Sequence, residues 1–150
     1  MTTPRQSVSA VSLSRSYLTP PFAEASVADA MRRGLFSCPS DATVADLAKV
    51  MATERVHAVL VTGVEGKDGW GIVTDQELLD AVAERLEAPA GEFVQDDPLI
   101  VQPAESLRAA AELMRSRRVG HVLVGDPKSG PPIGIVSTLD VAAVVAWGRD

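Results

Sequence analysis

The apolar residues of this chain fall into short blocks of two kinds, and the same order of blocks occurs twice. Val44, Leu47, Ala48 and Met51 recur at a spacing of roughly 3.6, one face of an amphipathic helix. Ala58-Val59-Leu60-Val61 and Gly71-Ile72-Val73 are compact apolar runs separated by a stretch rich in Gly and Asp, the pattern of buried strands joined by a loop. A second helical segment follows Thr74, with Leu78, Leu79, Val82 and Leu86 set between Asp80, Glu84, Arg85 and Glu87. The later half repeats the series: Leu107, Ala110, Ala111 and Met114, then His121-Val122-Leu123-Val124, then Gly134-Ile135-Val136 and a helix up to Trp147. Short apolar runs beside a Pro-containing turn, Leu35-Phe36-Ser37-Cys38 and Leu99-Ile100-Val101, open the two copies. Thr43 and Ser106 stand in front of the first helices as N-caps. The predicted architecture is mixed α/β (α+β), β-α-β-β-α twice.

The two copies share one register. A displacement of 63 residues superimposes Met51 on Met114, Arg55-Val56 on Arg118-Val119, Val59-Leu60-Val61 on Val122-Leu123-Val124 and Gly71-Ile72-Val73 on Gly134-Ile135-Val136, with no insertion between residues 26 and 147. A fixed period held through separate apolar blocks is the mark of duplication. A unit of about 60 residues buries too little surface to be stable alone, so the copies are expected to pack against each other. The expected division is an N-terminal tail, partly disordered, over 1–25, a first repeat over 26–87, a linker over 88–91 and a second repeat over 92–150. Tyr17, Leu18 and Phe22 flank Pro20-Pro21, so that end of the tail is expected to pack back onto the body.

Charge and composition narrow the function. A net charge of −6 argues against nucleic acid as a partner, because no excess of basic residues is available to neutralise phosphates. Any phosphate site must therefore be basic locally. Cys38, the single cysteine, forms neither a disulfide framework nor a zinc spacing and reads as a small buried hydrophobe. No apolar run approaches the roughly 20 residues of a membrane span, and the first 25 residues lack the apolar core of a signal peptide. A cytoplasmic protein without a membrane partner is expected.

The chemistry sits where the Gly-Ile-Val strands run into helices. Thr74-x-x-Glu77 is a capping box, in which the hydroxyl and the acid satisfy each other's backbone amides. The same residues also suit a ligand. A glycine permits close approach, a hydroxyl at a helix start lies among unpaired N–H groups that favour an anion, and a carboxylate accepts the two hydrogen bonds of a vicinal diol. Gly134-Ile135-Val136-Ser137-Thr138-Leu139-Asp140 presents the same arrangement with Asp at the last place. Cap and pocket both remain open for each copy, and the two roles are compatible.

This order of elements, with Gly-Ile-Val-Thr and Gly-Ile-Val-Ser each leading into a helix, resembles a tandem pair of CBS domains (the cystathionine β-synthase domain, paired as a Bateman module) over residues 26–147. The resemblance implies two small sheets packed pseudo-two-fold, helices on their flanks, and clefts between the repeats that take adenosine-containing ligands. In the family's motif the hydroxyl meets phosphate and the carboxylate holds the ribose hydroxyls. Carried over, it puts a nucleotide at Gly134, Ile135, Ser137, Asp140, His121, Arg118 and Ile100 in the second repeat, and at Thr74, Glu77 and His57 in the first. Repeat one departs from the motif, with Glu77 in place of Asp. In the regulatory subunits of AMP-activated kinase a His-Arg pair before the next strand contacts phosphate; His57 matches the His and His121 the Arg place, and neither copy keeps both. Arg115, Arg117 and Arg118 add positive charge in repeat two, which also suits a plain helix end, worth about 0.3–1 kcal/mol.

No Cys–His pair at usable spacing, Gly-x-Ser-x-Gly, Walker loop or metal cluster is present in the sequence, so an enzyme is not expected. The expected function is a sensor that binds AMP, ADP, ATP, NAD or S-adenosylmethionine, needs no resident cofactor and regulates an unidentified partner protein, with the second pocket the tighter. The alternative is a scaffolding module whose pockets are degenerate. A homodimer is expected through helices 75–86 and 138–147, because the last helix is apolar almost all round and would expose Val141, Val144, Val145 and Trp147. The competing arrangement has the N-terminal tail cover that helix.

Overall fold

The computed structural model of the chain describes residues 19–66 and 69–148. Its elements are α1 (Val27–Ala30), β1 (Arg32–Arg33), β2 (Ser37–Pro39), α2 (Val44–Glu54), β3 (Ala58–Thr62), β4 (Trp70–Thr74), α3 (Asp75–Glu84), β5 (Ile100–Val101), α4 (Leu107–Arg117), β6 (His121–Val124), β7 (Gly134–Ser137) and α5 (Thr138–Trp147), with 3-10 turns at Phe22–Glu24 and Ala90–Phe93. The β-α-β-β-α order is present in both copies. Helix bounds obey the repeat to the residue: α2 falls on α4 and α3 on α5 at the displacement of 63. The short elements α1 and β1, too brief to leave a periodic signature, are additions that the sequence pattern does not announce.

The chain forms two compact units, one continuous (Gly34–Pro98) and one split (Met1–Arg33 with Leu99–Asp150). In the continuous unit β2 lies parallel to β3 and β3 antiparallel to β4. Its core is Leu47 and Met51 from α2 against Val59, Val61 and Val73 of the sheet, with Cys38 and Ala90. In the split unit the sheet order is β1-β7-β6-β5, with β5 parallel to β6 and the other pairs antiparallel. Leu107 and Met114 of α4, Val144 of α5 and Val27 of α1 bury against Val101, Val122, Val124 and Val136.

The units are cut differently from the sequence repeats, and the difference is systematic. In the split unit Val27 N donates to Glu105 O, Leu107 N donates to Ala25 O, and Arg32 lies opposite Ile135. In the continuous unit Ala90 N donates to Ala42 O, Val44 N to Ala88 O, and Gln95 N to Ile72 O. The second set is the first displaced by 63 residues with the copies interchanged. Each lead segment, 26–33 or 89–96, therefore completes the body of the other copy.

Local chemistry explains where the helices begin and end. Thr43 Oγ1 accepts from Asp46 N at 3.1 Å and Ser106 Oγ from Ala109 N at 3.0 Å, as their N-cap positions predict. Both first helices end on an arginine in the left-handed region, Arg55 at φ 56° and Arg118 at φ 55°. Phe22 packs on the split-unit core, with the Arg108 guanidinium 4.9 Å from its ring centroid, and Ala25 is buried. That bears out the expected packing for Phe22; Tyr17 and Leu18 lie outside the described residues.

The expectation for α5 needs correction. Val144 is buried in the core and Val141 packs against it, so neither joins Val145 and Trp147 on the surface. The 3.6-residue period turns Asp140, Val141 and Val144 toward the sheet and leaves Leu139, Val145 and Trp147 exposed. On α3 and just beyond it, Leu79, Val82 and Leu86 are exposed in the same way, while Ala81 turns inward. No helix among the described residues is long and apolar enough to cross a membrane.

Candidate functional site

β7 runs directly into α5, so the last strand residue, Ser137, is also the helix N-cap. This forces its amide and hydroxyl and the acid one turn on into one small volume. Asp140 Oδ2 accepts from Ser137 N at 2.8 Å and from Ser137 Oγ at 3.0 Å. Its other oxygen, Oδ1, accepts from Arg32 Nε at 3.3 Å. Asp140 is only 5% exposed, with Thr74 one of two buried polar side chains among the described residues. An acid buried to this degree is tolerated because both oxygens have donors and one donor is a cation.

The junction of β4 and α3 repeats the arrangement with an uncharged residue in place of Arg32. Glu77 Oε1 accepts from Thr74 N at 2.7 Å and Thr74 Oγ1 at 2.6 Å, the predicted capping box. Gln95 Nε2 donates to both Glu77 oxygens, at 3.2 and 3.1 Å. Gln95 is Arg32 displaced by 63, as Glu77 is Asp140. Both motif acids are thus capping residues, and each is closed from outside by the same place on a lead segment. Sequence reading missed Arg32 and Gln95. Their shared register was visible, but nothing local tells that a lead segment joins the other copy's body.

The motif glycines have a structural cause as well. A Cβ on Gly134 would lie 2.5 Å from the carbonyl oxygen of Arg32, and one on Gly71 would lie 2.6 Å from Val94 Cβ. The close approach that the glycines permit is made by the chain itself, through the lead segment.

Of the other predicted site residues, His121 lies directly opposite Ser137 in the β6–β7 pair, within reach across the sheet. Ile135 pairs with Arg32 and Gly134 with Arg33. Ile100 is on β5, with β6 between it and β7, and Arg118 is the exposed C-cap of α4. The structure therefore gathers Ser137, Asp140, Gly134, Ile135 and His121 and leaves Ile100 at the far edge of the sheet. In the continuous unit Thr74 and Glu77 are in contact, whereas His57 Nδ1 pairs with Asp75 Oδ2 at 3.1 Å on the exposed side of the junction.

Electrostatics separates the two junctions further. The sequence of the continuous unit carries 13 Asp and Glu against 4 Lys and Arg, whereas the rest of the chain carries 7 against 10. Three of those ten, Arg5, Arg15 and Arg149, lie outside the described residues, so the contrast rests on the continuous unit, whose acidic balance repels a phosphate. Burial, and then the Asp46 carboxylate, push the Cys38 thiol pKa up, which keeps it from being a thiolate nucleophile near neutral pH. Among the described residues no group of His, Cys, Asp and Glu is placed to hold a metal ion.

Comparison with known proteins bears on the family and the fold. The sequence model of the CBS domain matches the chain twice, over residues 27–84 and 90–146. No curated protein sequence matches it. Among solved structures, a CBS domain protein from Pyrobaculum aerophilum complexed with AMP is 26% identical, with a TM-score of 0.66 over 81% of this chain and 98% of that one. A CBS-domain containing protein from Agrobacterium tumefaciens is 24% identical, with a TM-score of 0.67 over 79% of this chain and 92% of that one. An uncharacterized conserved protein from Pyrococcus horikoshii is 17% identical, with a TM-score of 0.73 over 85% of this chain and 96% of that one. With two matched domains over most of its length and the same α/β fold, the chain belongs to the CBS domain family.

Proposed function

We propose that this chain is a regulatory sensor rather than a catalyst. It binds an adenosine-containing ligand at the Gly134–Asp140 motif and, on binding, changes its contacts with a partner protein. The observation that carries this reading is Asp140: a buried, multiply bonded carboxylate at a strand-to-helix junction, paired with Arg32. The Pyrobaculum aerophilum relative, complexed with AMP, supports AMP as the first ligand to test. In the proposed complex Asp140 accepts from the ribose, Ser137 lies near the phosphate, and His121 and Arg118 add donors, with Gly134 and Ile135 as backbone or apolar walls; Ile100, at the far edge of the sheet, stands apart from them. Thr74, Glu77 and His57 form the weaker counterpart, since the acidic surroundings of Glu77 oppose an anion. A ligand shifts contacts with a partner only by its differential affinity for two arrangements.

Calorimetric titration with AMP, ADP, ATP, NAD and S-adenosylmethionine tests the proposal. At least one is expected to bind below millimolar concentration, with unequal sites. Asp140→Asn keeps an acceptor for the helix cap but removes the charge, and is expected to weaken binding about tenfold or more. Full affinity in that variant would remove Asp140 from the site. The second reading, a scaffolding module, is favoured by one observation: both motif acids already serve as caps closed by Arg32 or Gln95. It prevails if no compound in the panel binds.

We also propose a homodimer formed through the exposed apolar residues of α3 and α5. The motivation is the pair of sets Leu79, Val82, Leu86 and Leu139, Val145, Trp147, all more than a third exposed.

A further inference from the structure

The pairing of Arg32 with Asp140 differs in kind from ordinary surface ion pairing. Asp140 contributes a side chain 6% exposed and Arg32 one 64% exposed, so a solvent-exposed cation is seated from outside on a buried anion. Oδ2 is saturated by the Ser137 amide and hydroxyl, which leaves Oδ1 as the oxygen open to a ligand; Arg32 takes one of its two acceptor sites, so a vicinal diol, which needs both, competes with the guanidinium. The counterpart, Gln95 on Glu77, is closed by an uncharged amide. One position of the fold thus covers both motif acids, with a charge at one and none at the other.

We propose that Arg32 is a specificity-determining residue of the Asp140 site, selecting ligands that carry their own anion. The inference rests on the adenosyl reading above and goes beyond it by choosing within that class. A diol that bonds to Oδ1 moves the guanidinium aside. The diol is neutral, so on its own it leaves a buried carboxylate without its counter-charge, a costly state. A ligand that also bears a phosphate offers the displaced guanidinium two oxygens of a tetrahedral anion, which the planar arginine fork binds in a bidentate way that lysine cannot. Nucleotides therefore retain the charge balance that adenosine loses. At Glu77 the displaced group is an amide, and no such selection operates. Discrimination of this kind works by penalising the wrong ligand as much as by favouring the right one.

The test is calorimetry of AMP and adenosine on the full chain, comparing wild type with Arg32→Gln, which installs the residue found at position 95, and Arg32→Lys. Wild type is expected to bind AMP at least about tenfold more tightly than adenosine. Arg32→Gln is expected to narrow that ratio about tenfold, with adenosine gaining affinity, because an ion pair no longer has to open. Arg32→Lys, which keeps the charge, is expected to hold the preference for AMP. An AMP-to-adenosine ratio equal in wild type and Arg32→Gln, with binding intact, overturns the role of Arg32 and leaves the adenosyl reading in place. Failure of wild type and both variants to bind either compound at millimolar concentration overturns that reading and this inference together.

Discussion

At Arg118 the backbone enters the left-handed region, φ 55°, and at Arg55 it does the same at φ 56°. This is the place after a helix where glycine is usual, because a Cβ there is crowded by its own carbonyl. The closing hydrogen bonds, Val56 N to Met51 O and Val119 N to Met114 O, hold both residues in that state. Strain kept by the surrounding structure is often found where a side chain is needed. Arg118→Gly is therefore expected to raise stability by about 1 kcal/mol in denaturant titration, while weakening nucleotide binding. A variant that gains stability and loses no affinity would leave Arg118 as a helix terminus alone. This strain was not legible in the sequence, since an arginine in a basic cluster gives no sign of its φ. The caps were legible: Thr43, Ser106 and Thr74 are read directly from residue type and position.

At the scale of elements, the two lead segments decide how the sheets are finished. β1 crosses β7 at Gly134, where an added methyl would meet the Arg32 carbonyl oxygen at 2.5 Å, a backbone atom that cannot swing away. Gly134→Ala is expected to cost about 1–3 kcal/mol, the range for overpacking a fitted site. Gly71→Ala, whose methyl would meet Val94 Cβ at 2.6 Å, is expected to cost a similar amount. Gly120 has nothing within 4 Å of a built Cβ, so Gly120→Ala is expected to stay within about 0.5 kcal/mol. Equal effects at all three positions, measured by chemical unfolding, would show that the lead segments are loosely held. Sequence reading saw that these glycines allow close approach, and left open whether a ligand or the chain makes it.

For the whole molecule, the question is what covers the exposed apolar residues of α3 and α5. Leu79 and Leu139, the repeat equivalents at 67% and 66% exposure, are the most exposed of the large hydrophobic residues described. The dimer proposed above predicts about twice the 15.8 kDa chain mass in light scattering. Leu79→Lys with Leu139→Lys is expected to give a monomer of unchanged fold, because neither side chain is part of a core. A wild-type monomer at tens of micromolar refutes the dimer, and a dimer that survives both substitutions places its interface elsewhere. Val144, by contrast, cannot serve as a probe of the interface. It is core, and a charge there would unfold the split unit rather than report on association.

Hydrophobic period and caps were enough to determine the β-α-β-β-α order and the two strand-to-helix junctions with their acids. All of these are local: each is settled by residues within one or two turns of one another, and periodicity records them. The face of α5 that turns inward, the interchange of lead segments and the closing of Asp140 by Arg32 were decided only in three dimensions. An almost uniformly apolar helix carries no signal of which face it buries. Arg32 and Asp140 are 108 residues apart, and either lead segment fits either body as far as its own pattern tells. Packing made that choice. Once β1 lies along β7, Gly134 is required, Arg32 faces Asp140, and the acid that the motif announces acquires the cation that governs access to it.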